Sequence, residues 1–164
     1  MGSSRVRRTL IGLALSLAIA SCGLADYGPQ PPDIAYGQDI SVGCGMIISD
    51  PAFASGSVLE DGTTLKFDDV GDMLKYHIER PDIVVAEYFV HDYQTDDWLT
   101  ADDAIFVQTD SLVSPMGYGL AAFATRGAAE AFAADRNGQV WSLNDVKLYV
   151  HQVAHGDGHG VPSP

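Results

Sequence analysis

The chain has 164 residues, enough for one domain, with 9 basic against 22 acidic side chains and a formal charge of −13. A surface of that sign repels phosphates and anionic headgroups, which excludes nucleic acid binding and electrostatic membrane binding and favours cations. Hydrophobic residues make up 46% of the chain, enough to bury one core, which excludes wholesale disorder.

Residues 1–21 read as a removable export signal. A basic Arg5-Val6-Arg7-Arg8 precedes an apolar run, Leu10 to Ala20, of 11 residues. That run is too short to span a bilayer, which needs roughly 20 apolar residues. Its end, Ile19-Ala20-Ser21-Cys22, resembles the bacterial lipobox, in which the cysteine becomes the lipidated first residue of the mature protein. An ordinary signal peptide followed by a chance cysteine is the alternative. Loss of Arg5, Arg7 and Arg8 leaves 6 basic against 22 acidic residues, a net −16. Residues 22–40 hold three of the eight prolines and read as a flexible, lipidated tether.

With Cys22 capped by lipid, Cys44 is the one remaining thiol of 2 cysteines. An unpaired cysteine outside the cytoplasm needs a reason. It is a buried inert residue, the partner of Cys22 in a chain that is never lipidated, a soft metal ligand, or a nucleophile. The run Gly43-Cys44-Gly45-Met46-Ile47-Ile48 suggests a strand leaving a Gly-rich turn. A strand that included Cys44 would put Cys44 and Met46 on one face, about 6.6 Å apart at Cα. Thiolate and thioether are both soft donors and select Cu(I) over hard cations.

Further along, Phe53 to Glu60 and Thr63 to Phe67 flank Asp61-Gly62, a hairpin signal. Asp68 is placed to cap a helix over about 69–79 with Val70, Met73, Leu74 and His77 on its inner face, Met73 as core, and Pro81 beyond it. Ile83 to His91 is a strand, Asp92 to Asp103 an acidic loop with a turn near Trp98, and Ala104 to Gln108 another strand. Ser114-Pro115-Met116-Gly117 is a turn, followed by a strand at Tyr118 to Phe123. Thr125 caps a helix over about 126–135, with Ala128, Ala129, Phe132 and Ala133 apolar, and Asn137-Gly138 ends it. Val140 to Leu143 forms a short strand and Asn144 to Val150 a final turn or helix. The order repeats: a Met-bearing turn, strands ending at Phe67 or Phe123, then a helix. The expected fold class is therefore α+β, two related ββαβ units in one body over 41–150, with half-repeats of about 41–92 and 103–150.

No hydrolase, P-loop, dinucleotide or zinc-protease motif occurs, nor the 12-residue calcium loop. The Asp pairs 68/69, 96/97 and 102/103 read as solvated caps and loops. His77 and His91 read as structural, with either available as a third ligand. Residues 151–164 read as a flexible tail; His151, His155 and His159 are spaced for chelation, but Gly156, Gly158 and Gly160 argue against a helix.

The lipobox Cys22, Cys44-Gly45-Met46, the Phe67-Asp68-Asp69 helix start, and Ser114-Pro115-Met116-Gly117 followed by Phe123 together resemble the NosL family, accessory lipoproteins of nitrous oxide reductase. The likeness runs from the signal peptide to about residue 146. It implies a lipid-anchored Cu(I) chaperone, not an enzyme. By position, Cys44 and Met46 match the family's Cys-Gly-Met motif and Met116 its second-unit methionine. The implied partners are nitrous oxide reductase and its membrane-bound copper-maturation transporter complex. A copper storage or resistance lipoprotein with the same ligands, and a Cys44-dependent enzyme, are the rival readings.

Overall fold

The Asp61-Gly62 turn works because Gly62 takes a positive φ of 84°, open to glycine without strain. It joins β1 (Ser55–Leu59) to β2 (Thr64–Phe67) antiparallel, with Ser55 opposite Phe67. The computed structural model describes residues 28–156. The export signal, Cys22, and the tail from residue 157, including His159, lie outside the described residues.

After β2, α1 (Val70–Ile78) buries Val70, Met73, Leu74 and His77, the face that its apolar spacing predicts. Its N-cap is Asp69, one residue later than expected; the Asp69 carboxylate accepts from the Gly71 N–H at 2.7 Å. The chain returns as β3 (Val85–His91), antiparallel to β1 on the side away from β2. β4 (Trp98–Thr100) pairs with β3, so the segment around Trp98 is a strand rather than a turn in an acidic loop. The sheet order is β2-β1-β3-β4.

The second unit repeats this path. β5 (Ile105–Gln108) lies between β6 (Leu120–Phe123) and β7 (Gln139–Trp141), with α2 (Arg126–Arg136) between β6 and β7 in sequence. Both units thus place their first strand between the second and third, all antiparallel. Thr125 caps α2, and Asn137, at φ 50°, ends it in the left-handed conformation.

The second sheet is apolar on both faces because both are covered. Successive strand residues point oppositely: Phe106, Leu120 and Ala122 enter the main core with Phe67, Met73, Leu74 and Val90. Val107, Ala121 and Phe123 pack instead against Ala129, Phe132 and Ala133 of α2. α3 (Leu143–Ala154), begun by a Ser142–Asp145 capping box, closes the main core with Leu143, Val146 and Val150. The two sheets are stitched where Asp92 bridges Ala122 and its carboxylate accepts the Ala124 N–H at 2.6 Å.

Two expected boundaries move. The segment read as tether to residue 40 is part of the body from Pro32 on. Pro32 lies where a Cβ on Gly56 would sit, Ile34 packs with Ile48 and Ala54, and Asp39 pairs with Lys66 at 2.6 Å. The helix expected to stop by Val150 runs to Ala154, because Gly156 is the first of the three glycines and follows the helix end. No helix among the described residues is long and apolar enough to cross a membrane.

Two glycines give opposite outcomes on substitution. A Cβ at Gly71 would lie 2.2 Å from the Tyr118 ring, whereas Gly127 in α2 has open space. Gly127→Ala should stabilise by about 0.4–1 kcal/mol, while Gly71→Ala should cost about 1–3 kcal/mol by overpacking. Urea unfolding of the two variants checks this; equal effects would contradict the packing of Tyr118 on α1.

Candidate metal centre

Cys44 sits in a tight loop, not on a strand. Ile40 and Ile47 form an isolated bridge, and between them the Ser41 N–H donates to the Met46 carbonyl at 2.8 Å and the Gly45 N–H to the Ser41 carbonyl at 3.0 Å. Gly45 turns at φ 77°. The Val42 N–H donates to the Lys66 carbonyl at 3.0 Å, fixing the loop to β2. Gly43 faces α1 so closely that a Cβ there would lie 2.2 Å from the Asp72 carboxylate. Glycines on either side of Cys44 thus serve two purposes, one a turn and the other a close approach.

The half-buried Cys44 thiol donates to Asp68 Oδ1 at 3.2 Å, and Ser41 Oγ donates to Asp72 Oδ2 at 3.0 Å. One ligand atom from each of Cys44, Asp68 and Asp72 lies within 4.8 Å of the others, a cluster able to hold a cation. Asp68 is 3% exposed and Asp69 1%, so this pair is not solvated as expected, although Asp96, Asp97, Asp102 and Asp103 are exposed. Asp68 Oδ2 is buried with no hydrogen-bond partner. Burial pushes the Asp68, Asp69 and Asp72 carboxyls above their usual range. Burial, and then the neighbouring Asp68, also hold the Cys44 thiol above its ordinary value. The positive end of the α1 dipole partly offsets this crowding of negative charge.

Asp69 performs a second task. Its Oδ1 caps α1, and its Oδ2 accepts the Met116 backbone N–H at 3.2 Å. The turn at Ser114–Gly117 of the second unit, closed by Gly117 N–H to the Ser114 carbonyl at 3.0 Å, is thereby stapled to the first unit's helix. Adjacent carboxylates therefore hold the Cys44 loop and the Met116 loop at one end of α1. Met46 and Met116 are 44% and 39% exposed, whereas Met73 is 0% exposed in the core.

Neither histidine considered as a third ligand belongs to this cluster. His91 uses both ring nitrogens, one with Tyr36 Oη and one with the Asp96 carbonyl, each at 2.7 Å. His77 Nε2 bonds Ser57 Oγ at 2.9 Å, and burial lowers the His77 pKa to about 4. From Asp68 to His77 the helix advances roughly 13 Å. The neighbours of Cys44 that local sequence does not reveal are Asp68 and Asp72. Asp68 immediately precedes the N-cap Asp69 and Asp72 lies in the first turn of α1, so acids flanking a capped helix start are the available signal.

The acid cluster has a testable cost. Because Asp68 titrates above 3.8 in the fold, the folded state binds more protons there than the unfolded chain, and the carboxylate's contribution to stability falls as pH rises through that window. Asp68→Asn should therefore stabilise the metal-free protein at pH 7, by a gain on the order of 1 kcal/mol. That advantage should shrink as pH approaches 4. Thermal melts at both pH values with chelator present measure it; a variant less stable than the parent at pH 7 would contradict the charge-crowding account.

The NosL family model matches residues 35–150. The chain is 28% identical over 163 residues to the copper-binding lipoprotein NosL of Stutzerimonas stutzeri, covering 93% of this chain and 86% of that protein. Its fold is similar to the crystal structure of the copper chaperone NosL from Shewanella denitrificans, with a TM-score of 0.64 at 22% identity, over 71% of this chain and 96% of that one. The duplicated ββαβ body, its two anchored loops and the family match together establish that the chain belongs to the NosL family.

Proposed function

We propose that this protein is a lipid-anchored, extracytoplasmic chaperone that carries Cu(I) on Cys44, Met46 and Met116. It passes the ion on for the maturation of nitrous oxide reductase, together with the membrane-bound copper-maturation transporter complex. The observation that carries this reading is the exposure of Met46 and Met116 on two loops held by neighbouring carboxylates, one loop also bearing the free thiol Cys44. A thioether gains nothing by facing water, so two such side chains beside a thiol suit a soft ion. Relatives described as a copper-binding lipoprotein and a copper chaperone support the same cargo and a binding role rather than catalysis.

The chemistry divides between sulfur and oxygen. Thiolate and thioether sulfur select Cu(I), while Asp68 and Asp72 supply negative charge that draws a cation to the loop. When copper binds, the thiol proton, directed at Asp68 in the metal-free protein, departs to the carboxylate or to water. Two or three donors on exposed loops leave a coordination position through which a receiving protein's ligands can enter. A closed tetrahedral cage would hold the ion and obstruct transfer. Anchoring at Cys22 would tether the body through the chain to Pro32, a reach of at most about 35 Å.

Anaerobic Cu(I) titration with a competing chelator should give one tightly held ion. Cys44→Ser should weaken it most, removing the only anionic sulfur, and should flatten the rise of affinity with pH, since a thiol held above its ordinary value must lose its proton to ligate. Met116→Leu should weaken binding while costing less than about 1.5 kcal/mol of stability. Parental Cu(I) affinity in Met116→Leu would remove Met116 from the site. For the anchor, labelled fatty acid should enter the membrane fraction of the parent and not of Cys22→Ser; an unlabelled parent would refute lipidation.

A further inference from the structure

α3 continues past its last core contact, Val150; His151 lies in its exposed last turn and His155 is its C-cap, with the His155 N–H donating to the His151 carbonyl at 3.2 Å. Residues at i and i+4 lie on the same helix face, a spacing used by histidine pairs that bind zinc. The two imidazole rings stack in parallel, with centroids 4.2 Å apart and an interplanar angle of 19°. His155 Nδ1 lies 2.9 Å from the His151 carbonyl oxygen. A carbonyl can only accept, so the ring proton is on Nδ1 and Nε2 is left with the lone pair. Metal-ligating histidines typically fix their tautomer through such a bond on the other ring nitrogen.

We propose that His151 and His155 form a second metal site, in which the two Nε2 atoms chelate a borderline divalent ion such as Zn(II) or Cu(II), with water completing the shell. Metal–nitrogen bonds of about 2.0–2.1 Å require the two Nε2 atoms to lie within about 4 Å of each other. Rings already 4.2 Å apart reach that by small side-chain rotations. His151 lines one hollow with His77 and Ile78, at the opposite end of α1 from the Cys44 loop. The site is thus separated from the sulfur centre by about the length of α1, some 13 Å. Its imidazole donors suit the divalent class, and the thiolate and thioethers suit Cu(I), so the two sites sort ions by softness.

The test is calorimetric titration with Zn(II) of the full chain, purified from membranes in detergent and carrying Cys44→Ser to remove the thiolate. One Zn(II) should bind. Adding His151→Gln or His155→Gln should each weaken it at least about tenfold, since one of two imidazoles is lost. Adding His159→Gln instead should leave it unchanged. Zn(II) binding that is absent from Cys44→Ser, survives both His151→Gln and His155→Gln, or disappears with His159→Gln would overturn the proposal. Cu(I) affinity of His151→Gln in the Cys44-containing chain should equal that of the parent, so the fate of this site and that of the sulfur centre are read separately.

Discussion

Two adjacent buried carboxylates at the start of α1 organise this molecule. Asp68 receives the Cys44 thiol; Asp69 caps the helix and holds the backbone of Met116. The bonds to Cys44 and to Met116 cross between segments distant in sequence, and together they bring a loop from the N-terminal region and a turn from the second unit to one helix end. Such a pair is costly, since burial raises both carboxyls. The core compensates through the well-packed Phe67, Phe106 and Leu120 that fix α1 against both sheets. A stable core carrying a destabilised, charge-crowded end is a common division of labour in proteins that bind ions.

Duplication does not by itself account for that end. Each unit has the same strand order, but the Met46 loop precedes β1 whereas the Met116 turn joins β5 to β6, so the repeat expected for the methionine turns is not a structural one. The units are also not functionally equal. The first supplies the helix N-terminus and its acids; the second supplies a turn that reaches across. Gly71 and Gly43 permit the approach, the one against the Tyr118 ring and the other against Asp72. This end of the molecule thus depends on small residues as much as on carboxylates.

Much of the fold was legible in local sequence. Asp61-Gly62, the Val70-Met73-Leu74-His77 stripe and Asn137-Gly138 each encode their conformation within a few residues, and each forms as expected. What was not legible depends on distant partners. Trp98–Thr100 becomes a strand only because β3 offers a free edge, and a three-residue segment carries no periodicity of its own. Pro32 and Ile34 leave the tether because Gly56 and Ile48 receive them. The Cys44 loop is shaped by a single bridge rather than a ladder. Acidic pairs at helix starts usually face water, but two loops fold over Asp68 and Asp69 and bury them. The glycines after His155 mark the end of α3 rather than the absence of a helix around His151.

The proposed site draws sulfur from both units. X-ray absorption at the copper edge of the anaerobic, Cu(I)-loaded protein tests this most directly. Copper held by Cys44, Met46 and Met116 requires a coordination shell of three sulfurs, falling by one in Met116→Leu; two sulfurs in both proteins would leave the second unit out of the site. A single sulfur accompanied by oxygens would assign the ion to Cys44 with Asp68 and Asp72, and would contradict the proposed site.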